Sequence, residues 1–256
     1  MHSRSGNSDR SRHRWTAREA SGSIERRLGH SYFPSPGMDS QMRDLVILRR
    51  RSEVKDLVAA GLEAFVDRVD APGGTAPVLD LPHPSDEARR RFAGGFPIAI
   101  DGLAWLSPGD SLPAAWSAAF EESFRYRVQS HVGWSAPAAD EAFSVDVVKQ
   151  VSFLHASASF GVERFRESYR HHVEIARKHM PALWQYVQND VEVIVGEAAE
   201  AQGVFAVSEL WFRTTEDFLE RYFPSEADQR EFSSHEDFLD LTQATSFICA
   251  SARGVD

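Results

Sequence analysis

Residues 165–189 read FRESYRHHVEIARKHMPALWQYVQN, and the change of hydrophobic period across Pro181 sets the reading of the whole chain. Before the proline, Phe165, Tyr169, His172, Ala176 and Met180 fall on one side of a helix at about 100° per residue, while His171 points the opposite way. The residue before a proline is pushed out of helical geometry, so the helix predicted over Gly161–Met180 stops there. After it, Leu183–Val195 alternates with the period of a strand. A second strand, Val204–Phe212, carries Val204, Ala206, Leu210 and Phe212 on one face and Phe205, Val207 and Trp211 on the other. Apolar residues on both faces mean a sheet covered twice.

Working outward, Val145–Leu154 and Ala244–Ala250 complete the strands of this half. Thr214–Tyr222 opens with a Thr-x-x-Asp cap, the Thr214 hydroxyl being placed to accept from the Asp217 amide, and a further helical stretch spans Asp228–Leu241. The earlier part has the same order: strand Asp44–Leu48, helix Glu53–Val69, strand Val78–Leu81, strand Pro97–Leu106, helix Pro113–Phe120 and strand Ser123–Val132. A short echo supports a repeat, with Gly102–Leu106 matching Ser208–Phe212. The expected fold class is therefore α+β: two ferredoxin-like βαββαβ units, residues 38–140 and 141–256, forming an α+β barrel within one chain.

The 256 residues carry a formal net charge of −10, unevenly spread. Residues 1–37 hold seven Arg against Asp9, Glu19 and Glu25 and have the composition of a disordered leader; Met38 and Met42 suggest a later translation start. The rest is acidic, which argues against nucleic acid or an anionic membrane as partner. Cys249 is the one cysteine, so no internal disulfide forms, and a reducing, cytoplasmic setting is expected. No apolar run is long enough to cross a membrane. Association into a homodimer stays open.

No glycine-rich phosphate loop occurs; Gly73-Gly74 and Gly94-Gly95 read as turns, so no nucleotide cofactor is expected. His172 and His179 lie seven residues apart, roughly 10 Å along a helix, too far to share one ion, and no metal site is expected. The chemistry then rests on His172. It is either a hydrogen-bonded core histidine or an acid/base group aimed at the sheet. Glu209 interrupts the apolar row Phe205, Val207, Trp211 and must be paired or protonated if buried. Tyr186 and Asn189 lie on the strand after the helix, on opposite pleat faces. Nothing equivalent to His172 occurs between residues 43 and 82, and Leu103 stands where Glu209 does in the echo, which marks the second half as the bearer of any site.

The string Phe165, Tyr169, His172, Pro181, Tyr186-Val187-Gln188-Asn189 and Ala206–Phe212 resembles the EthD-domain family of the dimeric α+β barrel superfamily, over about residues 146–252. The resemblance implies a fused tandem pair and small enzymes without nicotinamide or flavin, acting on aromatic or polyketide-like molecules as oxygenases, isomerases or dehydratases. It implies a pocket between sheet and helix, with His172 as general acid/base, Tyr186 or Glu209 orienting it, and Phe165, Tyr169 and Trp211 lining it. Many members carry His-Ala-Pro on this helix where this chain has His171-His172-Val173, so His171 is the second candidate. The other function class is a non-catalytic binder or accessory protein using the same apolar cavity.

Overall fold

In the computed structural model the strand Val204–Phe212 has both faces covered, as its two-faced pattern requires, one by helices and the other by the inside of a closed barrel. The structure describes residues 40–54, 77–91, 100–136, 147–196 and 201–253. Among the described residues there are eight strands: β1 (Gln41–Arg50), β2 (Val78–Pro82), β3 (Gly102–Leu106), β4 (Phe120–Ser135), β5 (Val148–His155), β6 (Leu183–Val195), β7 (Val204–Phe212) and β8 (Thr245–Arg253). They close into one antiparallel barrel in the order β1-β3-β2-β8-β5-β7-β6-β4.

This corrects the expected fold class. Two ferredoxin-like α+β units are replaced by a single closed β-barrel that joins strands from both sides of residue 140. Two seams decide it. β2 pairs with β8 from Val78↔Arg253 to Pro82↔Cys249, and β4 pairs with β6 from Arg125↔Val195 to Ser135↔Gln185. Closure leaves no unpaired sheet edge, which removes the hazard of an exposed template for other strands. Element order alone is compatible with either arrangement; the pairing of the outermost strands is what distinguishes them.

The described helices are α1 (Asp86–Arg91), α2 (Ala114–Ala119), α3 (Val162–His179), α4 (Thr215–Glu220) and α5 (Glu226–Ser234). Only α3 is long. The expected stripe of Phe165, Tyr169, His172, Ala176 and the following Met180 is buried, together with Val173 and His179, and Arg177, Lys178 and His179 oppose the helix dipole in its last turn. Thr214 caps α4 by accepting from the Asp217 amide at 3.0 Å. The leader, nearly all of the expected helix Glu53–Val69, Gly73-Gly74, Gly94-Gly95 and the start of Pro97–Leu106 lie outside the described residues.

The core splits into an inside and an outside. Inside the barrel, Leu45, Ile47, Leu103, Tyr126, Val151, Phe153 and Val207 pack together. Outside, α3, α4 and α5 cover Leu154, Tyr186, Leu210 and Phe212. A bulge between Leu154 and His155 shifts the register beside β7. Phe205 then packs on the helix side against Phe165, at 5.5 Å between ring centroids, rather than in the row with Val207 and Trp211.

Candidate functional site

On the helix side, α3 places His172 against Tyr186 of β6. His172 is 6% exposed, and its Nδ1 lies 3.4 Å from the Tyr186 hydroxyl. Its Nε2 is buried with no hydrogen-bond partner among the described residues. The imidazole is flanked edge-on by Phe232 at 4.7 Å and Phe238 at 5.5 Å. Burial, with smaller contributions from His235 and His171, lowers its pKa from 6.5 to about 4, so the ring is neutral at neutral pH. Burial also raises the Tyr186 phenol. His171 is exposed on the far side of the helix.

Phe165 and Tyr169 share this interface but are committed to packing. The Tyr169 hydroxyl donates to the Val207 carbonyl at 3.2 Å, and the Gln188 amide donates to the Tyr169 carbonyl. Phe165 touches Tyr169, Phe205 and Phe238. Nearby, Tyr222 donates to Gln150 Oε1 at 3.1 Å, and Gln150 Nε2 donates to Ser152 Oγ at 3.1 Å and Ser246 Oγ at 3.3 Å. Glu236, half-buried, has its carboxyl raised by burial, and its charge contributes to raising both Tyr186 and Tyr222. Two polar groups therefore stand in an otherwise aromatic layer, the His172–Tyr186 pair and the run from Tyr222 through Gln150 to Ser152 and Ser246.

Glu209 and Trp211 are elsewhere. In the β6–β7 register Glu209 stands opposite Val187, and Tyr186 stands opposite Leu210, so Glu209 points into the barrel and away from His172. There Lys149 Nζ sits 2.6 Å from Glu209 Oε2 and 2.6 Å from Asp80 Oδ2. Trp105 Nε1 donates to Asp80 at 2.7 Å, Asn189 donates to Glu209 Oε1 at 3.0 Å, and Arg43 approaches Glu209 at 3.7 Å. The ammonium lies 4.7 Å from the ring centroids of both Trp105 and Trp211. Burial opposes the Lys149 charge, yet the Asp80 and Glu209 carboxylates outweigh it and hold the amine above its ordinary value. Burial likewise pushes Glu209 up, but Lys149 and Arg43 carry it below the usual carboxylate value.

The six residues expected to form one site thus divide between two faces of the sheet. His172, Tyr186, Phe165 and Tyr169 come together under α3; Glu209 and Trp211 join a charged network inside the barrel. Sequence reasoning missed Lys149 and Asp80, although each breaks an apolar strand row in the way Glu209 does. Gln150 breaks the neighbouring row of the same strand in the same way, whereas Tyr222 and Glu236 gave no such signal. Among the described residues, no group of three or more His, Cys, Asp or Glu side chains is placed to hold a metal ion. No described helix is long and apolar enough to cross a membrane.

No protein-family model matches the chain, that of the EthD domain included, and no curated protein matches it. Solved structures resemble it in fold. A candidate monooxygenase from Fusobacterium nucleatum subsp. nucleatum is 7% identical with a TM-score of 0.51, over 84% of this chain and 94% of that one. An anthrone oxidase-like protein is 9% identical with a TM-score of 0.51, over 86% of this chain and 95% of that one. A candidate monooxygenase from Lactobacillus acidophilus NCFM is 6% identical with a TM-score of 0.49, over 84% and 95% of the two chains. At such identities the likeness shows the fold.

Proposed function

We propose that the chain is an enzyme of the oxidase or oxygenase type that needs no organic cofactor and acts on a hydrophobic aromatic small molecule. His172 takes the proton and Tyr186 orients the imidazole. The observation that carries this reading is the buried Nε2 of a neutral histidine, without a partner among the described residues, whose other nitrogen meets a tyrosine hydroxyl. With Nδ1–H donated to Tyr186, Nε2 presents a lone pair in a dry, aromatic surrounding, the arrangement of a general base. The names of the Fusobacterium protein and the anthrone oxidase-like protein support an oxidative reaction, and the EthD-like string of residues 165–212 supports the same class.

The chemistry balances with dioxygen as co-substrate. His172 removes a proton from an activated methylene flanked by aromatic rings, and the carbanion passes its electrons to dioxygen. Both C–H bonds of the methylene and the O–O bond break. One oxygen atom becomes the carbonyl oxygen on that carbon, and the other leaves as water carrying the two former methylene hydrogens. The carbon is oxidised and dioxygen reduced by the same number of electrons, so no further reductant is needed. The proton held on His172 returns to the reduced oxygen. His172→Gln and Tyr186→Phe test it, with dioxygen uptake on an anthrone as the measurement. The first change is expected to lower kcat by about 10²–10⁴-fold and the second by less. Unchanged uptake in a folded His172→Gln variant removes His172 from the mechanism.

One observation favours a second reading. His172 is sealed beneath Phe232 and Phe238, which suits a core histidine in a non-catalytic binding protein. Saturable binding of an anthrone with no dioxygen uptake by the parent chain supports that reading instead.

A further inference from the structure

The element that seals His172 is attached to the rest of the protein at few points. Of the nine residues of α5 only Phe232 is buried. Asp228 is half-buried, and the other residues of the helix are exposed or nearly so. Among the described residues the helix is held down by the Phe232 ring, 4.7 Å from the His172 ring at 64° and 5.2 Å from that of Phe223 just before the helix, and by Asp228 Oδ1, 3.1 Å from His179 Nδ1 in the last turn of α3. The helix is complete in itself, because Ser225 accepts from the Asp228 amide at 3.1 Å and closes its N-terminus. The chain on either side is fixed. Tyr222 is buried and bonded to Gln150, while Ser157 and Asp240 amides bond to the Phe238 and His155 carbonyls at 2.8 Å each. A self-capped helix with one buried ring, strung between two fixed points, is the kind of unit that opens before the core does.

We propose that α5 and the turn after it, residues 226–237, are a lid over the His172 site, latched by His179–Asp228, and that the Phe232 ring occupies the position of a substrate's aromatic ring. This rests on the reading of His172 given above and specifies how its ligand enters. Lifting α5 exposes the unpartnered Nε2 together with the Tyr186 hydroxyl. The slot it leaves is shaped for a flat ring, since Phe232 and Phe238 both stand edge-on to the imidazole, at 64° and 66°. A hydroxyl or carbonyl on such a ring reaches Nε2 and satisfies it.

Two measurements on the full chain test the proposal. In hydrogen exchange, Asp228→Asn weakens the latch, while its amide still donates to Ser225 Oγ and its side-chain oxygen takes over the Ser225 hydroxyl that Asp228 Oδ2 accepts, and α5 amides are expected to exchange about tenfold faster with α3 unchanged. Unaltered α5 exchange, or acceleration of α3 and α5 together, overturns the lid. In calorimetry, Phe232→Ala is expected to bind 1-naphthol about tenfold more tightly than the parent and to shift the His172 ring resonances, with no gain for cyclohexanol. Parent-like affinity, or an equal gain for cyclohexanol, overturns the ring substitution. Should Phe232→Ala not fold, Phe232→Leu keeps apolar bulk without the flat ring and is held to the same outcomes. Neither measurement needs turnover: a lidded binder passes both and fails the dioxygen-uptake test, so the two failures are told apart.

Discussion

His172 and Lys149 show two ways of burying a titratable side chain. His172 has traded its charge for burial. Its pKa falls from 6.5 to about 4 on folding, so the unfolded chain binds the extra proton first as pH drops. Its contribution to stability is complete above the unfolded value and is lost as pH falls from about 6.5 toward 4, about 3 kcal/mol over that window. Urea midpoints of the parent are therefore expected to fall more steeply over this range than those of His172→Gln; parallel curves contradict it. Lys149 instead keeps its charge between Asp80 and Glu209. Lys149→Met strands two buried carboxylates and is expected to cost about 3–5 kcal/mol. Asp80→Asn and Glu209→Gln added to it recover much of that loss, measured by denaturant unfolding; no recovery means the network is not what holds them. The identities of His172 and Glu209 as polar interruptions were legible in the sequence. That they serve different faces was not, because a residue's partner across a sheet depends on register.

Among the elements, α3 follows most directly from its residues. Its apolar spacing, the basic last turn and Pro181 place it within a residue or two, with Val162–His179 observed against Gly161–Met180 expected. What the spacing does not convey is how close the helix lies to β4. A Cβ added at Gly133 meets Val173 Cγ2 at 2.5 Å, so this strand residue has room for hydrogen only. Gly133→Ala is expected to destabilise the fold by about 1–3 kcal/mol through overpacking, and Val173→Ala in the same chain to relieve most of it. Additive losses in thermal unfolding rule out the contact as the cause. At α4 the sequence is more explicit: Thr-x-x-Asp predicts the cap and the structure has it at 3.0 Å. Thr214→Ala is expected to cost about 1 kcal/mol, read as a lower urea midpoint at unchanged slope. The lid helix α5 was legible only as a helical stretch, since one buried Phe in nine residues leaves no periodic stripe.

Over the whole molecule, the β2–β8 and β4–β6 seams bind the strands before and after residue 140 into one hydrogen-bonded ring. Lys149 strengthens that union, being on β5 while Asp80 is on β2. The barrel is expected to unfold as a single unit, with amide exchange in β1 and β7 reporting the same free energy; two separated transitions would show that the halves are independent. By itself the sequence determined the strands, the long helix and its inward face, the cap on α4 and the positions where charge breaks an apolar row. Each is local, fixed by the two-residue or 3.6-residue period of the backbone and by single side chains at element ends. The tertiary structure alone decided that the sheet closes on itself, that Glu209 turns from His172 to Lys149, and that α5 covers the imidazole. Those outcomes depend on which distant edges and faces meet, and no local period records that.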